Sequence, residues 1–132
     1  NFIVSALIGK ECEFGKAGKS KTMWSLGGDI KFTIAGGQRY IPVDIEASKE
    51  AKAAVYIYEE AYEPRLPYYM RGDIKVWAKL HQIKITHELG VEIRNFTNRK
   101  NVYSYQYDVK LEAMRTSYQT GLLPLGYYRI TF

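Results

Sequence analysis

The chain has 132 residues, a formal net charge of +5 and 46% hydrophobic residues, a length that fits one small domain and excludes two. No apolar run approaches the roughly 18 to 20 residues of a membrane-spanning helix, which excludes that class and leaves strands open. Cys12 is the only cysteine, so an internal disulfide is excluded, and the cations alternate with acids (Arg71/Asp73/Lys75, Glu92/Arg94) instead of forming the stripe nucleic acid requires.

Alternation and turn signals predict about five long strands. The first runs from about Phe2 to Phe14, with Phe2, Val4, Ala6 and Ile8 on one face and Ser5, Gly9, Glu11 and Glu13 on the other. A polar, glycine-bearing turn is expected over residues 15–21. The second strand, about Thr22 to Ala35, sets Trp24, Leu26, Ile30, Phe32 and Ile34 against Ser25, Asp29, Lys31 and Thr33. Gly27 and Gly28 inside it are expected to permit bending of a curved wall.

A long connection follows, from about Gly36 to Pro67. Its stretch Ala47 to Ala54 has strong helix formers, with Ser48 as the expected cap. The third strand, about Tyr68 to Leu80, places Met70, Ile74, Val76, Ala78 and Leu80 opposite Arg71, Asp73, Lys75 and Lys79. His81-Gln82 is expected to make a tight turn. The fourth strand, about Ile83 to Tyr107, sets Ile85, Leu89, Val91 and Ile93 against Glu88, Glu92 and Arg94. After a polar tip at about Asp108 to Met114, a fifth strand returns to Phe132, with Tyr128, Ile130 and Phe132 alternating with Arg129 and Thr131.

Side chains on a strand point to opposite faces with a period of two, so every strand has one greasy and one polar face. A soluble sandwich shares that alternation but has no reason to stop on an aromatic. The predicted fold is all-β, an antiparallel meander of about five long strands forming part of a transmembrane β-barrel. Short turns alternate with long loops, as outer-membrane barrels alternate periplasmic turns with extracellular loops. Apolar residues at even positions of strands one, two, three and five, and at odd positions of strand four, are expected to face lipid. Trp24, Trp77, Phe14 and Phe132 fall near the expected periplasmic ends, although Trp77 lies on the inward parity.

Several short patterns carry no chemistry. Gly18-Lys19-Ser20 resembles the end of a phosphate-binding loop, but Glu13 stands where that loop needs glycine. Arg71-Gly72-Asp73 sits within a strand with its charges facing one way, and Asn95-Phe96-Thr97 is a sequon without meaning in a bacterium. His81 and His87 lack metal-ligand spacing, and His87 is expected at an interfacial strand end. The inward charges Asp29, Lys31, Arg71, Asp73, Lys75, Glu88, Glu92, Arg94 and Arg129 are expected to pair across neighbouring strands, with contact to a plug or a passing substrate as the alternative. Neither catalytic nor metal-binding nor cofactor-binding residues are expected, and the chain is not expected to be an enzyme.

The chain contains twelve tyrosines, whose apolar ring and wet hydroxyl suit interfaces and binding loops. Tyr40, Tyr56, Tyr58, Tyr62, Tyr103, Tyr105 and Tyr107, in the two long connections, are the candidate ligand-binding residues; packing or a girdle is the alternative.

Several blocks in order resemble the C-terminal end of the barrel of TonB-dependent outer-membrane receptors, in the nutrient-importing branch with a carboxypeptidase-like extension. They are Ala35 to Asp44, Arg65 to Asp73, Thr86 to Leu89, Asn95 to Val102 (the most specific), Tyr118 to Pro124 and Tyr128 to Phe132. The resemblance covers essentially the whole chain, 1–132. It implies a plugged barrel of about 22 strands in the Gram-negative outer membrane. It further implies energy-coupled nutrient uptake, with the TonB complex engaged through parts outside this chain. Implied partners are outer-membrane lipid, the remainder of the same barrel and its plug, and a substrate-capturing surface lipoprotein. With no export signal and no Met at Asn1, the residues are expected to be a mature product, a fragment or one chain of a split assembly. The alternatives are a soluble ligand-binding β-barrel and a non-transporting scaffold subunit of an outer-membrane complex.

Overall fold

The computed structural model describes residues 2–15 and 22–132. The expected first turn, with Gly18-Lys19-Ser20, therefore lies outside the described residues apart from Gly15. The protein is predominantly β. Its long strands are β1 (Ile3–Phe14), β2 (Met23–Ala35), and, after two short strands β3 (Val43–Asp44) and β4 (Val55–Tyr56), β5 (Tyr69–His81) and β6 (Thr86–Arg94). They are followed by β7 (Val102–Asp108), β8 (Ala113–Tyr118) and β9 (Leu123–Thr131). Five of these form one antiparallel sheet in the order β1-β2-β5-β6-β9, so long strands that follow one another in the chain are neighbours. The pairs β3–β4 and β7–β8 form separate two-stranded ribbons.

The chain is organised as two compact units. One comprises Asn1–Val4, Ile34–Met70 and Lys100–Thr120; the other comprises Ser5–Thr33, Arg71–Arg99 and Gly121–Phe132.

Register fixes the faces of the sheet. Ile74, Val76, Ala78 and Leu80 of β5 pair with Ile93, Val91, Leu89 and His87 of β6. Those four pair in turn with Pro124, Gly126, Tyr128 and Ile130 of β9. The intervening rows carry charges, Lys75 opposing Glu92, Lys79 opposing Glu88 and Glu88 opposing Arg129, with the row Trp77, Gly90 and Tyr127 between them. The expected change of parity in the fourth strand is thus present in the ladder. Pro124 lacks a donor and stands at the second position of β9, close to the strand's start.

Burial is inverted relative to a water-soluble domain. Among the described residues Leu66 is the only buried apolar side chain, whereas Ser25, Ser48, Asp73, Asn95 and Asn101 are all buried. Ile8, Trp24, Leu26, Ile30, Phe32, Val76, Leu89, Val91 and Ile130 are exposed.

Four sequence expectations about the elements are corrected. The fourth strand does not continue to Tyr107: β6 ends at Arg94, and Asn95 and Asn98 both adopt the left-handed conformation at φ 50. Asn95 holds this turn with its side chain, Nδ2 donating to the Arg99 carbonyl at 2.9 Å and Oδ1 accepting from Thr97 and from the Arg99 N–H. Short polar side chains tolerate that backbone and satisfy it locally. The fifth strand is likewise divided into β8 and β9.

The helix α1 spans Ile45–Ala51, starting earlier than expected, because Asp44 and not Ser48 is its cap. The Asp44 carboxylate accepts from the Ala47 N–H at 3.0 Å. Ser48 instead donates to the Asp44 carbonyl from inside the helix and accepts from Val55 N–H, tying α1 to β4. Finally, the hairpin between β5 and β6 closes over residues 82–85, with Gln82 N–H donating to the Ile85 carbonyl at 2.9 Å.

Candidate functional site

The unit containing most of the sheet carries an ordered polar face. Alternation puts Ser25, Gly27, Trp77, Lys79, Glu88, Gly90, Tyr127 and Arg129 on it, and their contacts tie the strands together. Lys79 Nζ donates to both Glu11 oxygens at 3.0 and 3.1 Å. Arg71 reaches Asp73 at 2.7 Å, Arg94 reaches Glu92 at 2.7 Å, and Arg129 lies 3.8 Å from Glu88. Of the charges singled out in the sequence, Glu88 and Arg129 approach each other across neighbouring strands, whereas Arg71–Asp73 and Glu92–Arg94 pair within a single strand.

A chain of hydrogen bonds joins Glu11, Ser25, His81 and Thr86. Ser25 Oγ donates to Glu11 Oε1 at 2.8 Å and lies 3.2 Å from His81 Nε2; His81 Nδ1 is 3.3 Å from Thr86 Oγ1. Because the serine proton is committed to Glu11, His81 Nε2 donates to Ser25, and in the neutral ring Nδ1 then accepts from Thr86. An imidazole that donates to the hydroxyl cannot serve as its base, and Ser25 is 1% exposed. This cluster is a cross-link between strands. Sequence reading did not assemble it, although the shared odd parity of Glu11, Ser25 and His81 was the available signal.

Trp77 is also explained by this face. A Cβ at Gly27 would stand 2.4 Å from two Trp77 ring carbons, so the glycine is the seat of the indole, and the expected bending role is replaced by a packing one. Gly90, directly paired with both Trp77 and Tyr127, seats the Tyr127 ring in the same way, with ring carbons at 2.4 Å. Lys75 Nζ lies 5.2 Å from the Trp77 centroid and 5.1 Å from that of Tyr127, and Lys79 lies 5.7 Å from Trp77. The Tyr127 hydroxyl donates to Glu88 Oε1 at 2.5 Å. The indole Nε1 is buried without a hydrogen bond among the described residues.

The opposite face of the same unit is apolar and ends on His87 and Tyr128. Their rings stack at 6.1 Å with 16° between planes, and His87 Nδ1 is 2.6 Å from the Tyr128 hydroxyl. His87 thus lies on the apolar face near a strand end, where the sequence placed it.

The candidate tyrosines fall in the other unit. Tyr40, Tyr56, Tyr103 and Tyr105 line one groove of about 290 Å³ with Gln38, Arg39, Ile41, Leu66 and Ser104. Tyr40 and Tyr105 meet edge to face at 5.3 Å. Tyr103 stands out of the groove wall, 61% exposed, because a register shift between Val102 and Ser104 interrupts the β7–β8 ladder. Tyr58 packs on Tyr56 at 6.2 Å from outside the lining. Tyr62 is exposed and contributes its backbone, its carbonyl accepting from Arg39 at 2.9 Å and its N–H donating to the Tyr40 carbonyl at 3.2 Å. Tyr107 lines a different hollow with Asp108, Lys110 and Arg115. Four of the seven are therefore brought together and three are not. Among the described residues no group of three His, Cys, Asp or Glu side chains is placed to hold a metal.

No protein-family model, curated protein or solved structure matches the chain at a significant level.

Proposed function

We propose that the chain is a wall segment of an outer-membrane β-barrel of the TonB-dependent transporter kind, serving energy-coupled nutrient uptake without catalysis of its own. One observation carries this proposal. Val76, Leu89, Val91, Tyr128 and Ile130 form a continuous apolar face across three hydrogen-bonded strands, and that face is exposed, while the opposite face carries the ion pairs Lys79–Glu11 and Arg129–Glu88 between strands. Leaving such side chains in water forgoes about 1.5–3 kcal/mol each, and acyl chains are a solvent that restores it. Strand edges in lipid must also be paired, and β1 and β9 are the edges of this five-stranded sheet. Closing a barrel takes about eight strands or more, so the partners at those edges are the remaining strands of the same wall.

The family, the Gram-negative outer membrane, the plug, the TonB complex and the surface lipoprotein rest on the sequence blocks that resemble those receptors. Ligand contact is assigned to the tyrosine-lined groove. That groove is also the observation favouring the second reading, a soluble ligand-binding β-barrel.

The two tryptophans provide the test, since Trp24 follows the apolar parity and Trp77 sits on the polar face. Single-tryptophan variants, Trp77→Phe and Trp24→Phe, are refolded into vesicles whose acyl chains carry bromine. Strong quenching of Trp24 with weak quenching of Trp77 is expected. Equal quenching of both, or a monodisperse chain in plain buffer that ignores the vesicles, overturns the wall assignment.

A further inference from the structure

We propose that Arg39 and Arg65 form an anion clamp at the tyrosine-lined groove, taking an organic ligand that carries a carboxylate or phosphate on an apolar body. The inference rests on that groove's assignment to ligand contact and names the chemistry it selects. The two arginines face each other in an isolated antiparallel bridge. Leu66 N–H donates to the Gln38 carbonyl at 2.8 Å and Tyr40 N–H to the Pro64 carbonyl at 3.2 Å, one residue to either side of the pair. That pattern makes Arg39 and Arg65 a non-hydrogen-bonded pair, the arrangement in which opposed side chains stand closest. Like charges opposed in this way are destabilising, and an anion between them reverses the sign. Glu59, Glu60 and Glu63 lie in the same connection, yet among the described residues no carboxylate comes within ion-pair distance of either arginine.

Arg39 is held in place by an unfavourable backbone. Its Nη1 donates to the Tyr62 carbonyl at 2.9 Å, and the Tyr62 N–H donates to the carbonyl of Tyr40, the residue next to Arg39. Tyr62 makes both bonds in the left-handed conformation, φ 64, which a bulky aromatic residue seldom adopts and which its surroundings have to maintain. The guanidinium is thereby fixed through one N–H and keeps the rest for an acceptor. Arg39 also lines the groove with Tyr40, Tyr56, Tyr103 and Tyr105. Its planar fork matches the paired oxygens of a carboxylate or a phosphate, and a second guanidinium across the bridge doubles the charge that such an oxyanion meets. The groove, at about 290 Å³, has room for a body of roughly two fused rings, and the tyrosines supply its apolar walls.

The test uses the whole chain in vesicles and three fluorescent probes that share one ring system: 2-naphthoate, 2-naphthyl phosphate and the uncharged 2-naphthamide. The unaltered chain is expected to bind an anionic probe about tenfold more tightly than the amide, the ratio expected of one charge-assisted hydrogen bond. The tighter of the two anions assigns the headgroup as carboxylate or phosphate. Arg65 is exposed, so Arg65→Gln removes a charge with the fold kept, and it is expected to abolish the preference. Lys84→Gln, an equal loss of charge at the exposed β5–β6 hairpin, is expected to keep it. A preference that survives Arg65→Gln, or that Lys84→Gln removes to the same extent, overturns the clamp. Equal binding of all three probes by the unaltered chain, weakened alike by Tyr103→Ala, also overturns it and leaves the groove as a ligand site. Binding of no probe overturns both.

Discussion

The Trp77 indole lies on Gly27 so closely that a Cβ there would stand 2.4 Å from two of its ring carbons. A glycine in the middle of a strand normally weakens it. Here its missing side chain is the space into which the neighbouring strand's largest residue fits. The first prediction is that Gly27→Ala destabilises the folded chain by about 1–3 kcal/mol, the range for overpacking a filled site. Trp77→Ala added to it should recover part of that loss, because the clash disappears with the ring. Equilibrium unfolding midpoints of the two variants check this, and strict additivity would contradict the seat.

The alternation of faces leads to the second prediction. Ile30 is on the exposed apolar parity of β2 and Lys31 is on the polar one. Arg at Ile30, or at Ile74 of β5, should disfavour insertion by roughly 2–4 kcal/mol at the bilayer midplane and by less near an interface. Lys31→Arg should be nearly silent. Folding equilibria in vesicles of defined lipid give these values directly, and equal tolerance at Ile30 and Lys31 would count against a lipid-facing side.

Asn95 supports the break between β6 and β7, and it also accounts for the buried end of Asp73. Its backbone N–H donates to Asp73 Oδ1 at 2.9 Å, while Arg71 holds Oδ2. Asn95→Ala should cost about 2–4 kcal/mol, combining lost side-chain bonds with an unfavourable left-handed backbone. Asn95→Gly should cost less, since only the side-chain part is lost. Thermal unfolding of the pair separates the two contributions, and equal destabilisation would show that backbone conformation plays no part.

The tyrosine groove can be examined by a double-mutant cycle. Tyr40 and Tyr105 meet edge to face at 5.3 Å, and a coupling of about 0.5–1.5 kcal/mol is expected between them. Tyr103, exposed at the groove rim, should change stability by less than about 0.5 kcal/mol when replaced by Ala. A large loss of stability for Tyr103→Ala would mark it as a packing residue and remove it from the ligand-contact set.

Much of the sheet was legible in the residues because a period of two survives whatever packs on it. The boundaries of β1, β2 and β5, the change of parity in β6 and the place of His87 on the apolar face near a strand end all follow from alternation. The breaks at Asn95 and at residues 119–122 were not legible, since the same stretch keeps strand-forming residues on both sides of each turn. What decides them is side chains standing in for backbone partners. Asn101 both donates to the Met70 carbonyl and accepts from the Met70 N–H, and Asn98 accepts from Leu122 N–H. Such bonds join residues more than twenty positions apart and leave no periodic trace.

The same division holds for the candidate sites. Composition alone drew attention to seven tyrosines, and only the folded connections separate the four that share a groove from the three that do not. The sequence by itself determined which side of each strand is greasy and which is charged, because side-chain direction follows from backbone pleat. Tertiary structure alone decided which charges pair, why Trp77 sits among them, and that the greasy side is left uncovered. Those outcomes depend on strand register, and register brings together residues that local sequence cannot relate.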